Sequence, residues 1–333
     1  MSAISHDSPV KPRVLVADDH LAVLESVCRF LADAYDVVAR ASDGRRALEL
    51  ARQFQPDVAV IDVRMPVLNG FETLERLRRE LPALRVIFLT MHDDDQFVAA
   101  AINAGAHGYV LKSRLHLDLM SAIEHSLEGR LFVPSLSALR TVSGSHHTVM
   151  FHTDDDRFLD DVSQLVASTL QAGEPVVVVT AESTRTDVAN RLRGRRMDLP
   201  ALVTRGLYME QDSALALSEV MRGGTLDKAR SAEIIAGFEQ FRIAAPNGPR
   251  SRLTIIADLT VSLWRRGDVA AALALERTWN ELVHGLPFLT VCVIPIDCFA
   301  GSEAGAPLQA VRAEHSIIAG PSQDGHDTDR GRP

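Results

Sequence analysis

An apolar run that ends in a carboxylate constrains this chain most. Within Asp57–Gly70 (DVAVIDVRMPVLNG), Val58–Ile61 are small or β-branched apolar residues, Asp62 follows at once, and Met65–Pro66 and Asn69–Gly70 then supply loop chemistry. A short apolar run bounded by turn residues reads as a strand buried on both faces, and the C-terminal ends of such strands are where open α/β sheets carry their ligands. Three other runs end the same way. Arg13–Asp19 (RVLVADD) ends in two acids, Val86–Thr90 (VIFLT) in a hydroxyl, and Gly108–Lys112 (GYVLK) in an ammonium. Together these groups suit phosphoryl transfer to a carboxylate. The acids would hold Mg²⁺, Asp62 would be the nucleophile, and Thr90 and Lys112 would offset charge on the phosphoryl oxygens.

Amphipathic stretches separate these strands. Leu21, Leu24, Val27, Cys28 and Leu31 recur at helical spacing, and Arg45–Phe54, Phe71–Glu80, Asp95–Ala104 and Leu115–Glu128 follow in turn, with Val37–Ala41 as a further strand. Strand and helix alternate five times, which predicts a doubly wound, five-stranded parallel sheet. His92 and Asp93–Asp95 follow Thr90; helix N-capping explains them better than metal binding. His20 is placed to begin a helix and to tune the acid pair before it.

These residues, in this order, resemble the receiver domain of bacterial two-component response regulators, over roughly residues 12–129. The resemblance implies a flavodoxin-like fold with Asp62 as phospho-acceptor. It also implies Mg²⁺ held by Asp18, Asp19, Asp62 and the Arg64 backbone carbonyl. Thr90 matches the switch hydroxyl, Lys112 the phosphate-contacting lysine and Tyr109 the switch aromatic. A sensor histidine kinase or phosphotransfer protein is the implied phosphodonor. Residues Asp95–Gly108 would form the relay or homodimer surface. Such a domain is a switch and not an enzyme, apart from slow loss of its own phosphate.

The 333 residues leave room for a second domain. Met1–Arg130 carries 15 basic and 19 acidic residues and the remainder 20 and 25, so neither half is basic and the balance argues against a nucleic-acid partner. Cys28, Cys292 and Cys298 show no CxxC spacing, which fits a reduced, cytoplasmic setting. The N-terminus does not read as a signal peptide, and no apolar run approaches a membrane span.

Residues 130–146 lose periodicity and gain Ser, Gly and Pro, so they read as a linker. Strands are then expected at Val149–Phe151, Pro175–Thr180, Leu253–Ala257 and Leu289–Ile294, with long helical patterns between them. The second half is therefore another α/β domain and not a helix-turn-helix. From Ala300 the composition shifts to Gly, Pro, Ser, His and Asp, so 300–333 reads as a disordered tail.

The opening HHTVMFHTDDDRFLDDV, the segments QAGEPVVVVTAE and GGTLDKA, and the run LWRRGDVAAALALERTWNELVHGLPFLTVCVIP together resemble the MEDS domain, a sensory module of methanogen and methylotroph regulators related to RecA/KaiC-type folds. The likeness covers roughly Ser145–Asp297, and the domain it implies is set at 147–298. His147 matches the family's opening histidine, whereas His152 stands where an aromatic is usual. Glu276, Trp279 and Asn280 match its E-x-x-W-N signature, and Asp258 stands where an acid is expected after the third strand. His147, Asp258 and Trp279 are the candidate pocket residues, for a small-molecule ligand or a protein partner.

A RecA-like fold would place a phosphate cradle after PVVVVT. Ala181–Thr186 (AESTRT) has neither glycine nor lysine, so the domain is read as degenerate and non-hydrolytic. The alternatives are a transcription regulator touching DNA through this half, or a nucleotide-binding module. His146, His147 and His152 are expected to be ordinary hydrogen-bonded histidines, since no neighbouring cysteine or acid cluster completes a metal set. Cys292 and Cys298 read as core residues and the arginines of 191–196 as a solvated face.

Overall fold

The computed structural model describes residues 11–92, 94–142, 144–152, 155–299 and 305–319. The chain divides into two compact units, Met1–Phe132 and Val133–Pro333.

In the first unit, β1 (Arg13–Ala17), α1 (Leu21–Leu31), β2 (Asp36–Ala41), α2 (Gly44–Phe54), β3 (Val58–Ile61), α3 (Gly70–Glu80), β4 (Arg85–Thr90), α4 (Asp95–Asn103), β5 (Gly108–Leu111) and α5 (Leu115–Leu127) alternate as expected. The strands are parallel and ordered β2-β1-β3-β4-β5. That is the flavodoxin-like order, with its switch point between β1 and β3. Local chemistry starts the helices. Asp43 caps α2, Asn69 and Glu72 form a reciprocal capping box on α3, and Asp94 caps α4. Asp93 lies outside the described residues. Leu24, Val27, Cys28 and Leu31 form the buried stripe of α1.

The stretch 130–146, expected as a linker, carries secondary structure at Leu131–Val133 and Ser137–Thr141. Leu131–Val133 forms β6, which pairs with β5 through Phe132 and Gly108, and the Phe132 side chain is fully buried. Its aperiodicity reflects short elements: Ser137–Thr141 is a 3₁₀ turn, and Leu136, Ala138 and Leu139 are buried.

The second unit contains β7 (His146–His152), α6 (Asp155–Gln171), β8 (Val176–Thr180), α7 (Glu182–Gly194), α8 (Leu199–Thr204), β9 (Tyr208–Asp212) and α9 (Ser213–Val220). There follow a short hairpin of β10 (Met221–Arg222) and β11 (Thr225–Leu226), then α10 (Lys228–Ala244), β12 (Leu253–Ala257), α11 (Val261–Arg265), α12 (Val269–Val283), β13 (Phe288–Pro295), α13 (Gly305–Ala313) and β14 (Ile317–Ala319). Its parallel strands run β14-β7-β13-β12-β8-β9. The central strands are buried along nearly their whole length, as two-sided cover requires.

In the parallel sheet of this unit, two strands were not expected. β9 (YMEQD) is a polar edge strand that lacks an apolar run. β14 lies in the expected tail, and here the disordered reading is corrected for 305–319. Val311, Ile317 and Ile318 are buried, and β14 pairs with β7. Residues 300–304 and 320–333 lie outside the described residues.

Candidate functional site

The topology of the first unit brings the four strand ends to one sheet edge. Asp62 follows β3, and its backbone N–H donates to the Ala17 carbonyl at 2.8 Å, so the carboxylate is set beside the end of β1. The Lys112 ammonium lies 2.7 Å from Asp62 Oδ2 and 2.6 Å from Asp18 Oδ2. Burial alone would depress the Lys112 pKa, but hydrogen bonds to Asp18 and Asp62 outweigh it and the net shift is upward. Asp18 and Asp62 are buried, while Asp19 stays open to solvent. His20 donates its backbone N–H to Asp18 Oδ1, and its ring Nδ1 lies 2.8 Å from Asp19 Oδ1.

Carboxylate oxygens of Asp18, Asp19 and Asp62, with a His20 ring nitrogen, lie within 4.8 Å of one another. Asp18 and Asp62 share Lys112 and Asp19 adds a third carboxylate, so the site keeps an excess of negative oxygen donors. That donor set fits a hard cation such as Mg²⁺, which takes carboxylates and water at one or two points of contact. The Arg64 N–H lies 3.4 Å from Asp62 Oδ1, so Arg64 belongs to the same turn as the carboxylate.

Thr90 and Tyr109 meet at His92. The His92 N–H donates to Thr90 Oγ1 at 3.3 Å, and the Tyr109 hydroxyl donates to the His92 carbonyl at 2.9 Å. The Tyr109 ring is fully buried, edge-on to Phe88. The ring of His92 stacks on Phe97.

The second unit separates the three expected pocket residues. Trp279 lines an apolar cavity of about 70 Å³, bounded also by Val179, Ile235, Phe238, Ile255 and Leu275. Its indole N–H donates to Thr290 Oγ1 at 3.1 Å. Asp258 is not at this cavity; it lines another cleft, with His152 and Ser183. There Asp258 Oδ2 accepts the Ala181 N–H at 2.9 Å, at the head of α7. The amide at the head of α7 is thus already taken by a carboxylate of the same unit. Burial raises the Asp258 pKa.

His147 lies beside the cavity in a buried cluster with Glu276, Cys292 and His315. This corrects the expectation that no cysteine or acid completes a set around His147. Glu276 comes from α12, Cys292 from β13, and His315 from the stretch read as tail. The signal in the sequence was Glu276 itself. It occupies the apolar stripe of α12 with Ala272 and Leu275, a position that buries a carboxylate. Burial raises its pKa to about 7, while burial lowers that of His147 to about 4. Among the arginines of 191–196, Arg191 pairs with Asp156 and Asp160 on the surface.

Comparison with known proteins agrees with this geometry. The response regulator receiver domain model matches residues 14–124, and the MEDS (methanogen/methylotroph, DcmR sensory) domain model matches 146–308. The chain is 33% identical over 151 residues to the response regulator GacA of Pseudomonas aeruginosa, covering 44% of this chain and 71% of that protein. It is 34% identical over 125 residues to the transcriptional regulatory protein DegU of Brevibacillus brevis, covering 37% of this chain and 53% of the relative. The chain thus spans about half the length of that second relative. Among solved structures, the receiver domain of the Mycobacterium tuberculosis response regulator NarL is 35% identical, with a TM-score of 0.34, covering 37% of this chain and 100% of that one. The strand-end acids, the two domain matches and the GacA match converge: the chain belongs to the response-regulator family, with a receiver domain followed by a MEDS domain.

Proposed function

We propose that the receiver accepts a phosphoryl group on Asp62 from a histidine kinase or phosphotransfer protein, and that this changes the state of the MEDS half. The observation that carries the reading is the Asp62 carboxylate at a strand end, with the Lys112 ammonium bridging it to Asp18 and Asp19 close by. A carboxylate oxygen of Asp62 attacks phosphorus; the new P–O bond forms as the bond to the donor atom breaks, and its electron pair leaves with the donor. Asp18, Asp19, Asp62 and the Arg64 carbonyl would hold Mg²⁺, which supplies charge stabilisation on the phosphoryl oxygens. Lys112 supplies a second positive charge from its fixed position.

Phosphoryl oxygens above Asp62 would draw the Thr90 hydroxyl away from the His92 N–H. The loop after β4 would then lose this tie at His92, and the hydrogen bond from the Tyr109 hydroxyl to the His92 carbonyl would loosen with it. Two arrangements of this loop form the switch. Exposed Leu21 at the head of α1, with Val67 and Met91 on the loops after β3 and β4, supports a protein partner at this edge. The protein is read as a switch and not as an enzyme. Among the described residues no helix is long and apolar enough to cross a membrane.

For the MEDS half, the apolar cavity beside Trp279 supports binding of a small, largely apolar molecule that meets a few hydroxyls, from Thr260, Thr278 and Thr290. Incubation with a small phosphodonor and Mg²⁺ tests the receiver reading. Wild type should incorporate one phosphoryl group and Asp62→Asn none; equal labelling of the two would sink it.

A further inference from the structure

We propose that His147, Glu276, Cys292 and His315 form a binding site for a divalent transition metal of the zinc class. The site goes beyond the ligand-binding reading of the cavity and stands whether or not the cavity takes a ligand. All four side chains are buried, and their donor atoms lie within 4.8 Å of one another. His147 Nε2 is 3.2 Å from Cys292 Sγ and 3.4 Å from Glu276 Oε2. Glu276 Oε2 is 3.7 Å from His315 Nε2 and 3.9 Å from Cys292 Sγ. A tetrahedral ion with bonds of about 2.0–2.3 Å holds its ligands about 3.3–3.7 Å apart. Along these four edges the cluster needs to move by only a few tenths of an ångström.

The groups behind the cluster orient it as a metal would require. His315 Nδ1 donates to the Val311 carbonyl at 2.7 Å, which leaves Nε2 as the ring's acceptor nitrogen. His147 Nδ1 lies 2.7 Å from Asn280 Oδ1, and the other end of that amide donates to the Glu314 carbonyl at 2.8 Å. The amide is thereby turned with its oxygen toward His147, so this ring too presents Nε2 as acceptor. Thr260 Oγ1 donates to Glu276 Oε1 at 3.1 Å and aims the second carboxylate oxygen inward. Ligating histidines characteristically donate their other ring N–H to a carbonyl or carboxylate in this way.

Charge points in the same direction. The recorded partners of the Glu276 carboxylate among the described residues are Thr260, Cys292 and the two histidines, none with a fixed positive charge. A carboxylate removed from water needs such a charge or a proton. Two imidazoles, a thiolate and one carboxylate carry −2 in total and suit a borderline-soft divalent ion better than Mg²⁺ or Ca²⁺. Binding displaces the Cys292 thiol proton to solvent, so affinity rises with pH. Glu276 and Cys292 also border the apolar cavity, which places the ion at its wall.

The test is a Co²⁺ titration of the full chain, stripped of metal by chelator and held in excess Mg²⁺ to occupy the receiver acids. The expected result is saturation at one equivalent, with the visible bands of a four-coordinate ion and a thiolate-to-cobalt charge-transfer band, all abolished by one equivalent of Zn²⁺. Cys292→Ser should lose the charge-transfer band, and His315→Ala should weaken binding by more than about tenfold. A wild-type chain that takes up no Co²⁺, or a Cys292→Ser variant that keeps the charge-transfer band, overturns the proposal. Should either variant fail to fold by circular dichroism, the wild-type titration alone decides.

Discussion

The Tyr109 hydroxyl donates to the main-chain carbonyl of His92 at 2.9 Å, across the gap between the start of β5 and the end of β4. With the Thr90 hydroxyl on the amide of the same residue, this pins both polar groups of His92. The loop that leaves this sheet edge is therefore held by side chains from two strands.

Tyr109→Phe keeps the buried ring and removes only the tie. We expect a loss of about 1 kcal/mol in stability, with faster amide exchange confined to residues 91–97. Unchanged exchange there would show that the hydroxyl does not restrain the loop.

Among the described residues, Lys112 is the one ammonium paired with both Asp18 and Asp62. Lys112→Met leaves two adjacent buried carboxylates without it, and should cost about 3 kcal/mol in urea denaturation. On the proposal that Mg²⁺ binds the folded acids and not the unfolded chain, it should restore much of that loss. An Mg²⁺-insensitive variant would argue against a cation at these acids.

Gly70 packs where no side chain fits. A Cβ there would lie 2.6 Å from the Asp62 carbonyl, 2.9 Å from Val63 Cα and 3.0 Å from the Phe88 ring. Two of these neighbours are backbone, so Gly70→Ala must push the turn away from Asp62. The expected outcome is a destabilisation of about 1–3 kcal/mol and slower phosphorylation. Wild-type rates would show that the turn can move without consequence.

His107 packs against Arg85, and its Nδ1 accepts the Val86 N–H. Burial, then the charges of Arg85 and Arg78, lower its pKa to about 4 from 6.5. The unfolded chain then binds more protons than the folded one between those values. Stability from this group is fully present above pH 6.5 and is lost as pH falls toward 4. Partial exposure holds the effect to about 2 kcal/mol or less. In denaturant midpoints measured from pH 7 to pH 4, His107→Gln should flatten this part of the slope; an identical slope would count against it.

Ala216 lines the cavity beside Trp279. Ala216→Leu should fill part of it, raise stability by about 0.5–2 kcal/mol and abolish the effect of small apolar probes on tryptophan fluorescence. Probe responses equal to wild type would place ligand binding elsewhere.

Much of the receiver was legible because its signals are local. Each strand is a short apolar run, each functional group follows its strand directly, and right-handed crossovers of parallel strands leave those ends on one edge. Asp18, Asp62, Thr90 and Lys112 could therefore be placed by position alone. In the second half the E-x-x-W-N signature was visible, but the work its residues do was not. Glu276, Trp279 and Asn280 sit at helical spacing of three and four, so one face of α12 reaches the buried cluster, the cavity wall and His147.

By itself, the sequence determined the alternation of strands and helices, the two α/β units, and the acids, hydroxyl and lysine at the receiver strand ends. Periodicity and turn chemistry report how each segment presents its own faces, and that information is local. Only the tertiary structure decided that His147 on β7, Glu276 on α12, Cys292 on β13 and His315 before β14 share one buried space. It likewise decided that residues 305–319 are ordered. β14 is three residues long, and its order comes from burial beside β7. That contact joins segments more than 160 residues apart in the chain, and no local pattern encodes such a pairing.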